Sequence, residues 1–519
     1  MPPMKIYRFT PKFAPLSLIL GFCLFGCAVG PDFKQPDVPD IKKFSEFPLS
    51  KELTSAPNEV AGASQKFVEG YAVPSEWWKL FRSSELNSLV ETSLRNNPNL
   101  GAAEASLRVA QENANATFGN IFPSVDVGAG ATRQSLPPAY YGQTSGSTNT
   151  FTVYNASVNV SYKLDLFGGA KRQREGAKAQ AEFQAYQLEG TYLSLTSNLV
   201  NAAIREAAQR EQLDATQEIL KSQENLASLI KKQFDIGTVS KIDVSSQNTL
   251  VANSQSQLYA YDKNLSVTRN MLTAYIGGYP GNTKVPQFKL SSLELPSSIP
   301  TVIASNLVRQ RPDIKAAEAQ LKLANAQVGV ATANLLPQIN ITGSYATQAL
   351  ASDMLFGPAS ALWTLGAGLT QPIFQGGQLL AQRRGAKANY EVAAFNYEAV
   401  VINAFNEVAN TLKALDISSK TLLSASEANK NAAMTLDLVK QQYQLGSTNY
   451  LAVLNAQTQS QQARINLIQA QADRYTNTVA LYAALGGGWW TRQGPAYLGK
   501  TSNLETQTTQ PHNVNNEVK

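Results

Sequence analysis

Few residues in this 519-residue chain are equipped for chemistry. It has one histidine, His512, in a polar tail, and two cysteines, Cys23 and Cys27. That inventory offers no histidine-based acid–base catalysis and no His/Cys metal set. No Ser/His/Asp constellation and no glycine-rich phosphate loop stands in the sequence. An enzyme, a resident metal and a bound cofactor are therefore not expected. Two features remain: the thiol of Cys27 as an acylation site, and the carboxylate of Asp243 as a fixed charge between long helical patterns. The formal net charge is +6, and Lys5, Arg8 and Lys12 account for half of it. So small and dispersed a surplus is no nucleic-acid footprint.

The position of Cys27 makes its acylation specific. Residues 1–26 read as an export signal, with a basic start to Lys12 and an apolar run from Ala14 to Gly26 that is too short for a stable membrane span. Leu24-Phe25-Gly26-Cys27 resembles a bacterial lipobox, in which the thiol is diacylated and the leader is cut just before it. Cys27 would then begin the mature chain with covalent lipid, and Cys23 would leave with the leader. Two or three acyl chains, at about 0.8 kcal/mol per buried methylene, make a stable anchor. Ala28 follows in place of the Asp that often retains lipoproteins at the inner membrane, so outer-membrane lipid is the expected destination. No later segment offers 18 consecutive apolar residues, so transmembrane helices are not expected.

The chain also repeats itself. Asn97-Pro-Asn-Leu-Gly-Ala-Ala-Glu-Ala-Ser-Leu107 aligns with Arg311-Pro-Asp-Ile-Lys-Ala-Ala-Glu-Ala-Gln-Leu321, Gly176-Ala-Lys-Ala179 with Gly385-Ala-Lys-Ala388, and Phe234-Asp-Ile-Gly-Thr238 with Tyr443-Gln-Leu-Gly-Ser447. In each copy a proline, Pro98 or Pro312, suits the first turn of an Ala-rich helix ending near Pro123 or Pro337. Two segments of period two follow, predicting strands over about 124–134 and 151–164, then 338–348 and 361–371. Val125, Val127, Ala129 and Ala131 alternate with Ser124, Asp126, Gly128 and Gly130; Trp363, Leu365, Ala367 and Leu369 alternate with Thr364, Gly366, Gly368 and Thr370. Apolar residues on one face and small or polar ones on the other are the pattern of a transmembrane β-barrel. Tyr140, Tyr141, Tyr154, Tyr162 and Trp363 would suit its interfacial girdles, or ordinary loop and strand packing.

Beyond Gly168-Gly169 and Gly376-Gly377 the pattern is helical for more than sixty residues, up to Gly237 and Gly446, which at 1.5 Å per residue is about 100 Å. Four strands cannot close a barrel; about eight fill their own bore, and twelve begin to leave a lumen. The smallest conducting assembly is therefore a homotrimer. Sparse charge, 16% against about 25% in an average domain, suits a water-lined interior, or a helix bundle merely solvated on its polar face.

Several phrases now resemble one family, the TolC-like outer-membrane factors of tripartite efflux systems, and particularly its lipidated branch. They are Cys27-Ala-Val-Gly-Pro-Asp-Phe33, Trp77-Trp-Lys-Leu-Phe81, Leu164-Asp-Leu-Phe-Gly168, Arg311-Pro-Asp313 with Ala316-Ala-Glu318, and Gln371-Pro-Ile-Phe374 with Gly376-Gly377. The resemblance implies a mixed α/β membrane channel with an internal two-fold repeat: a trimeric twelve-stranded barrel, four strands per chain, continuous with a periplasmic α-helical barrel and a mixed equatorial belt. The chain would divide into a leader (1–26), a lipid-anchored belt segment (27–76), repeats over 77–290 and 291–490, and a C-terminal belt segment and disordered tail (491–519). The implied partners are a periplasmic adaptor and an inner-membrane transporter. Trp77, Trp78 and Phe81 are expected to pack in the belt rather than to form a binding face.

The helix tips carry the remaining expectations. Ile236, Gly237 and Thr238, and Leu445, Gly446 and Ser447, place glycine where a helix must stop and Thr or Ser to cap the next helix; in the family such tips meet the adaptor. Asp243 matches a carboxylate that narrows the family's closed pore, and it also completes a capping box with Ser240; both readings stand. Thr448, Ala452 and Asn455 are neutral where many relatives carry charges. A passive duct for small molecules is favoured over a type I protein-secretion duct and over a non-conducting lipoprotein that tethers envelope layers.

Overall fold

The computed structural model describes residues 28–37, 50–69, 73–142, 144–301 and 308–492. Cys27 with the leader, and His512 with the tail from 493, lie outside the described residues.

The duplication is visible in element lengths. Helices α2 (Pro98–Gly119) and α5 (Pro312–Ala333) have 22 residues each. Helices α3 (Gly169–Asp235) and α6 (Gln378–Gln444) have 67 each, and α4 (Lys241–Tyr275) and α7 (Tyr450–Ala484) have 35 each. Between α2 and α3 lie strands β2 (Ser124–Leu136) and β3 (Asn149–Leu164); between α5 and α6 lie β5 (Gln338–Ala349) and β6 (Ala361–Thr370). Helix α2 stops at Gly119, a few residues short of Pro123, because the chain turns there, Phe122 N–H donating to Gly119 O at 3.1 Å.

The chain forms two compact units that cut across the repeats. Among the described residues, one comprises 28–35, 108–182 and 318–396 and holds the four-stranded antiparallel sheet β2-β3-β5-β6. Residues 28–35 belong here, whereas the described residues from 36 to 76 belong to the second unit, so the segment 27–76 is not one piece.

The second unit comprises the described residues within 36–107, 183–317 and 397–492. It adds helix α1 (Ser84–Asn96) and a small parallel pair, β1 (Lys66–Glu69) against β4 (Ser298–Thr301). Its core is aromatic. Trp77, Trp78, Phe81, Tyr475 and Tyr482 are all buried; Trp77 stacks on Tyr482 at 5.8 Å and meets Trp78 edge-on at 6.0 Å. Rings so placed add about 1 kcal/mol per pair beyond their buried area, and the packing role expected for these residues is the one they have. Tyr475 is tied further, its hydroxyl donating to Leu293 O at 2.5 Å. Arg311 of the Arg-Pro-Asp phrase donates to Ala484 O at 2.6 Å and pairs with Glu407 at 2.7 Å, fixing the start of α5 to the end of α7.

Candidate functional site

The four strands form the part of the chain that can line a passage through a membrane. Its register carries the alternation across all four strands. Val127, Val158, Tyr345 and Trp363 stand in one row, and Asp126, Asn159, Ser344 and Thr364 in the next. Successive residues of a strand point to opposite faces, so the first row lies on the apolar face and the second on the polar one. Several apolar-face side chains are open in the single chain, among them Val127 and Leu365. The outer edges of β2 and β6 have no strand partner within the described chain. Apolar side chains facing outward and free backbone edges are both unfavourable in water; a bilayer and further strands would satisfy them.

Sequence reasoning missed how the N-terminal segment is held against this unit. Val29 N–H donates to Phe167 O at 3.0 Å. Arg172, buried on the first turn of α3, donates from Nε to Val29 O at 3.2 Å, from Nη2 to Gly30 O at 3.3 Å and to Asp32 Oδ1 at 2.7 Å, and from Nη1 to Glu175 at 2.7 Å. Asn325 donates to Pro31 O at 2.9 Å. The approach is close enough to demand glycine: a Cβ on Gly168, whose φ is +73°, would lie 2.5 Å from Ala28 Cα, and one on Gly30 would lie 2.6 Å from Gly329 Cα. The guanidinium holds the Asp32 carboxyl below the ordinary range by hydrogen bonding and charge. Ala28, the residue after Cys27, is thereby fixed beside the turn that ends β3.

The tips lie in the other unit and are twins. Gly237 N–H donates to Phe234 O at 2.9 Å and Thr238 N–H to Gln233 O at 2.9 Å; Gly446 N–H donates to Tyr443 O at 3.0 Å and Ser447 N–H to Gln442 O at 2.9 Å. Each glycine holds a left-handed conformation, φ +81° and +74°, closing its helix with the last carbonyls satisfied. The hydroxyls of Thr238 and Ser447 also donate backward, to the Gln233 and Gln442 carbonyls, so they do not cap the next helices. Those caps are Ser240 and Asn449. Ile236 and Leu445 project outward, 75% and 83% exposed.

Asp243 forms the anticipated capping box. Its Oδ2 accepts from Ser240 N–H at 2.9 Å and from Ser240 Oγ–H at 2.7 Å, while Asp243 N–H donates to Ser240 Oγ at 3.2 Å. The two hairpins are joined by neutral groups that sequence reasoning did not single out. Tyr443 donates to Gln233 at 3.0 Å, Tyr450 donates to Gln247, and Gln247 donates to Gln223 O at 2.8 Å. Ile230, Tyr450 and Val453 form a small buried cluster beneath them.

An amphipathic sheet with two open edges, followed in each repeat by a 67-residue helix and a glycine-stopped reversal, defines a channel subunit of the outer membrane. The model of the outer membrane efflux protein family matches residues 89–278 and 303–487, and the chain belongs to that family. It is 31% identical over 426 residues to the pyoverdine export outer membrane protein OpmQ of Pseudomonas aeruginosa, covering 81% of this chain and 89% of that protein. It is 29% identical over 482 residues to the toluene efflux pump outer membrane protein TtgC of Pseudomonas putida, covering 92% and 96%. The solved outer-membrane channel OprN superposes with a TM-score of 0.79 at 26% identity, over 89% of this chain and 100% of that one. The chain is thus the outer-membrane channel component of an efflux pump.

Proposed function

We propose that three copies pair β6 of one chain with β2 of the next, closing a twelve-stranded barrel that serves as a passive exit for small molecules. The open edges of the four-stranded sheet carry this reading, because four strands cannot close alone and twelve leave a lumen. Cys27 is acylated, and the clamp on Ala28 to Asp32 holds that lipid at the end of the sheet where strands give way to helices. A periplasmic adaptor docks on the tips through Ile236, Gly237, Thr238, Leu445, Gly446 and Ser447, and an inner-membrane transporter supplies cargo and energy. The relatives are named for toluene and for pyoverdine, both small molecules, which favours efflux over protein secretion. Asp243, repeated threefold, contributes negative charge at the aperture.

Planar-bilayer conductance of the detergent-extracted protein, with its mass measured in parallel, tests this. A trimer giving discrete conductance steps is expected. A monomer without conductance would overturn the duct and favour the envelope tether.

A further inference from the structure

The two repeats differ at the turn from their second strand into the long helix. In the first repeat, Leu164 to Gly168, the turn is covered: Val29 donates to Phe167 O, Gly168 is buried against Ala28, and Leu166 and Phe167 are half-buried. In the second repeat, Gln371 to Gly377, nothing in the described chain takes that place, and Ile373 and Phe374 are 88% and 87% exposed. Two adjacent large apolar side chains this open are unusual for a turn held by backbone geometry alone.

The sheet register says what lies nearest to them across an assembly. Ser124, Ser161, Thr342 and Gly366 share one row, so the end of β6 at Thr370 and the start of β2 at Ser124 fall at the same end of the sheet. Just beyond the start of β2 are Phe118 and Phe122, packed edge-on at 5.2 Å, with Arg174 over the Phe118 ring at 4.2 Å. Phe122 is itself 58% exposed. The free edges of the sheet thus each carry an open apolar group, and both groups are at one end.

We infer that Ile373 and Phe374 of one copy seat against Phe118 and Phe122 of the next, forming an apolar clasp at the end of the β6–β2 seam. The clasp gives the second repeat, from a neighbouring copy, the cover that the first repeat receives from its own N-terminal segment. This rests on the barrel closure proposed above.

Paired cysteines in the full-length protein test it, since the chain's own thiols are confined to Cys23 and Cys27 and a variant without added cysteine sets the background. Phe122→Cys with Phe374→Cys is compared with a seam control, Val125→Cys combined in turn with Leu365→Cys, Ala367→Cys and Leu369→Cys. Oxidation is expected to link chains through the clasp pair at least tenfold more than through either single variant. Seam linkage without clasp linkage would overturn the clasp and leave the barrel standing. A monomer with no linkage at any pair would overturn both. A spin label on Phe374→Cys that collides freely with lipid-dissolved oxygen would show a lipid-facing side chain and overturn the clasp. Finally, Ile373→Ser with Phe374→Ser should lower the temperature at which the trimer dissociates, whereas Gln375→Ser should not; equal behaviour would also count against it.

Discussion

Arg172 Nη2 lies 2.7 Å from Asp32 Oδ1, a buried guanidinium on helix α3 holding a carboxylate that is itself almost fully exposed. The pair joins α3 to the segment that follows the candidate acylation site. Arg172→Ala removes this pair together with the bonds to the Val29 and Gly30 carbonyls. Amide exchange at residues 28–37 is expected to accelerate at least tenfold while the strands keep their protection. Gly30→Ala should loosen the same segment, since its methyl would meet the Gly329 backbone at 2.6 Å. Unchanged exchange in both variants would remove the clamp from the account.

The pH response of that clamp follows from the depressed Asp32 carboxyl. A group whose folded value lies below its unfolded one, about 3.9, contributes above the unfolded value and loses that contribution as pH falls through the folded one. Protection of residues 28–37 should therefore be flat from pH 5 to 8 and decline below about pH 4. Asp32→Asn should flatten that acid limb; an acid limb identical to wild type would assign it to another group.

Much of this architecture is written locally. The period-two segments, the proline-started helices and the glycine stops each depend on residues within a few positions, so strand and tip boundaries could be read to within a few residues. Asp243 was legible as a cap because its partner, Ser240, is three residues away. The clamp was not: the phrase from Cys27 to Phe33 was visible, but its partner Arg172 lies 140 residues from Asp32 and no spacing rule joins them. The pairing of β1 with β4 was hidden for the same reason, being four residues long in each partner and too short for a periodicity. The Tyr and Gln side chains between the hairpins were hidden by composition, because Gln recurs along all four long hairpin helices.

Capping and charge at Asp243 can be separated. Ser240→Ala removes the side-chain cap of α4 and keeps the carboxylate, at a cost of about 1 kcal/mol. Asp243→Asn removes the charge while retaining an oxygen that accepts from Ser240 N–H. Under the duct reading, Asp243→Asn should lower cation preference in bilayer recordings, and Ser240→Ala should leave it unchanged while increasing exchange at the first turn of α4. Equal ion selectivity in wild type and Asp243→Asn would leave Asp243 as a cap only.

Glu206 anchors the second unit. Fully buried, it accepts from Arg210, from Arg269 Nη1 at 2.7 Å and from Phe288 N–H at 3.0 Å. Removing one member of a buried charge network typically costs about 3–5 kcal/mol because the remaining charges lose compensation. Glu206→Ala should lose that much in thermal or denaturant unfolding, more than Glu206→Gln, which keeps one acceptor oxygen for the arginines or for Phe288 N–H while its NH2 replaces the other. A loss below about 1 kcal/mol in Glu206→Ala would show that water or another acceptor replaces it.

Arg464 on α7 pairs with Glu218 on α3 at 2.8 Å, but the tie nearer the tips is uncharged, and that sets how it should respond. Tyr450 donates to Gln247, whose amide is held in turn by the Gln223 carbonyl. Burial raises the Tyr450 phenol, with the charges of Tyr443 and Asp243 adding to the effect. A phenol raised above its unfolded value of about 10 contributes fully below that value and weakens only as pH climbs through the folded one, so the tie should be constant from pH 5 to 9. Salt should act weakly as well, since neither partner is ionised there. Tyr450→Phe leaves the buried Gln247 oxygen without its donor, a cost of about 1–3 kcal/mol. Faster exchange around residues 223 and 247 is expected, together with larger or longer-lived conductance steps under the duct reading. Steps that in wild type widen sharply between pH 5 and 9, or that are identical in Tyr450→Phe and wild type, would place the restraint on opening elsewhere than in this pair.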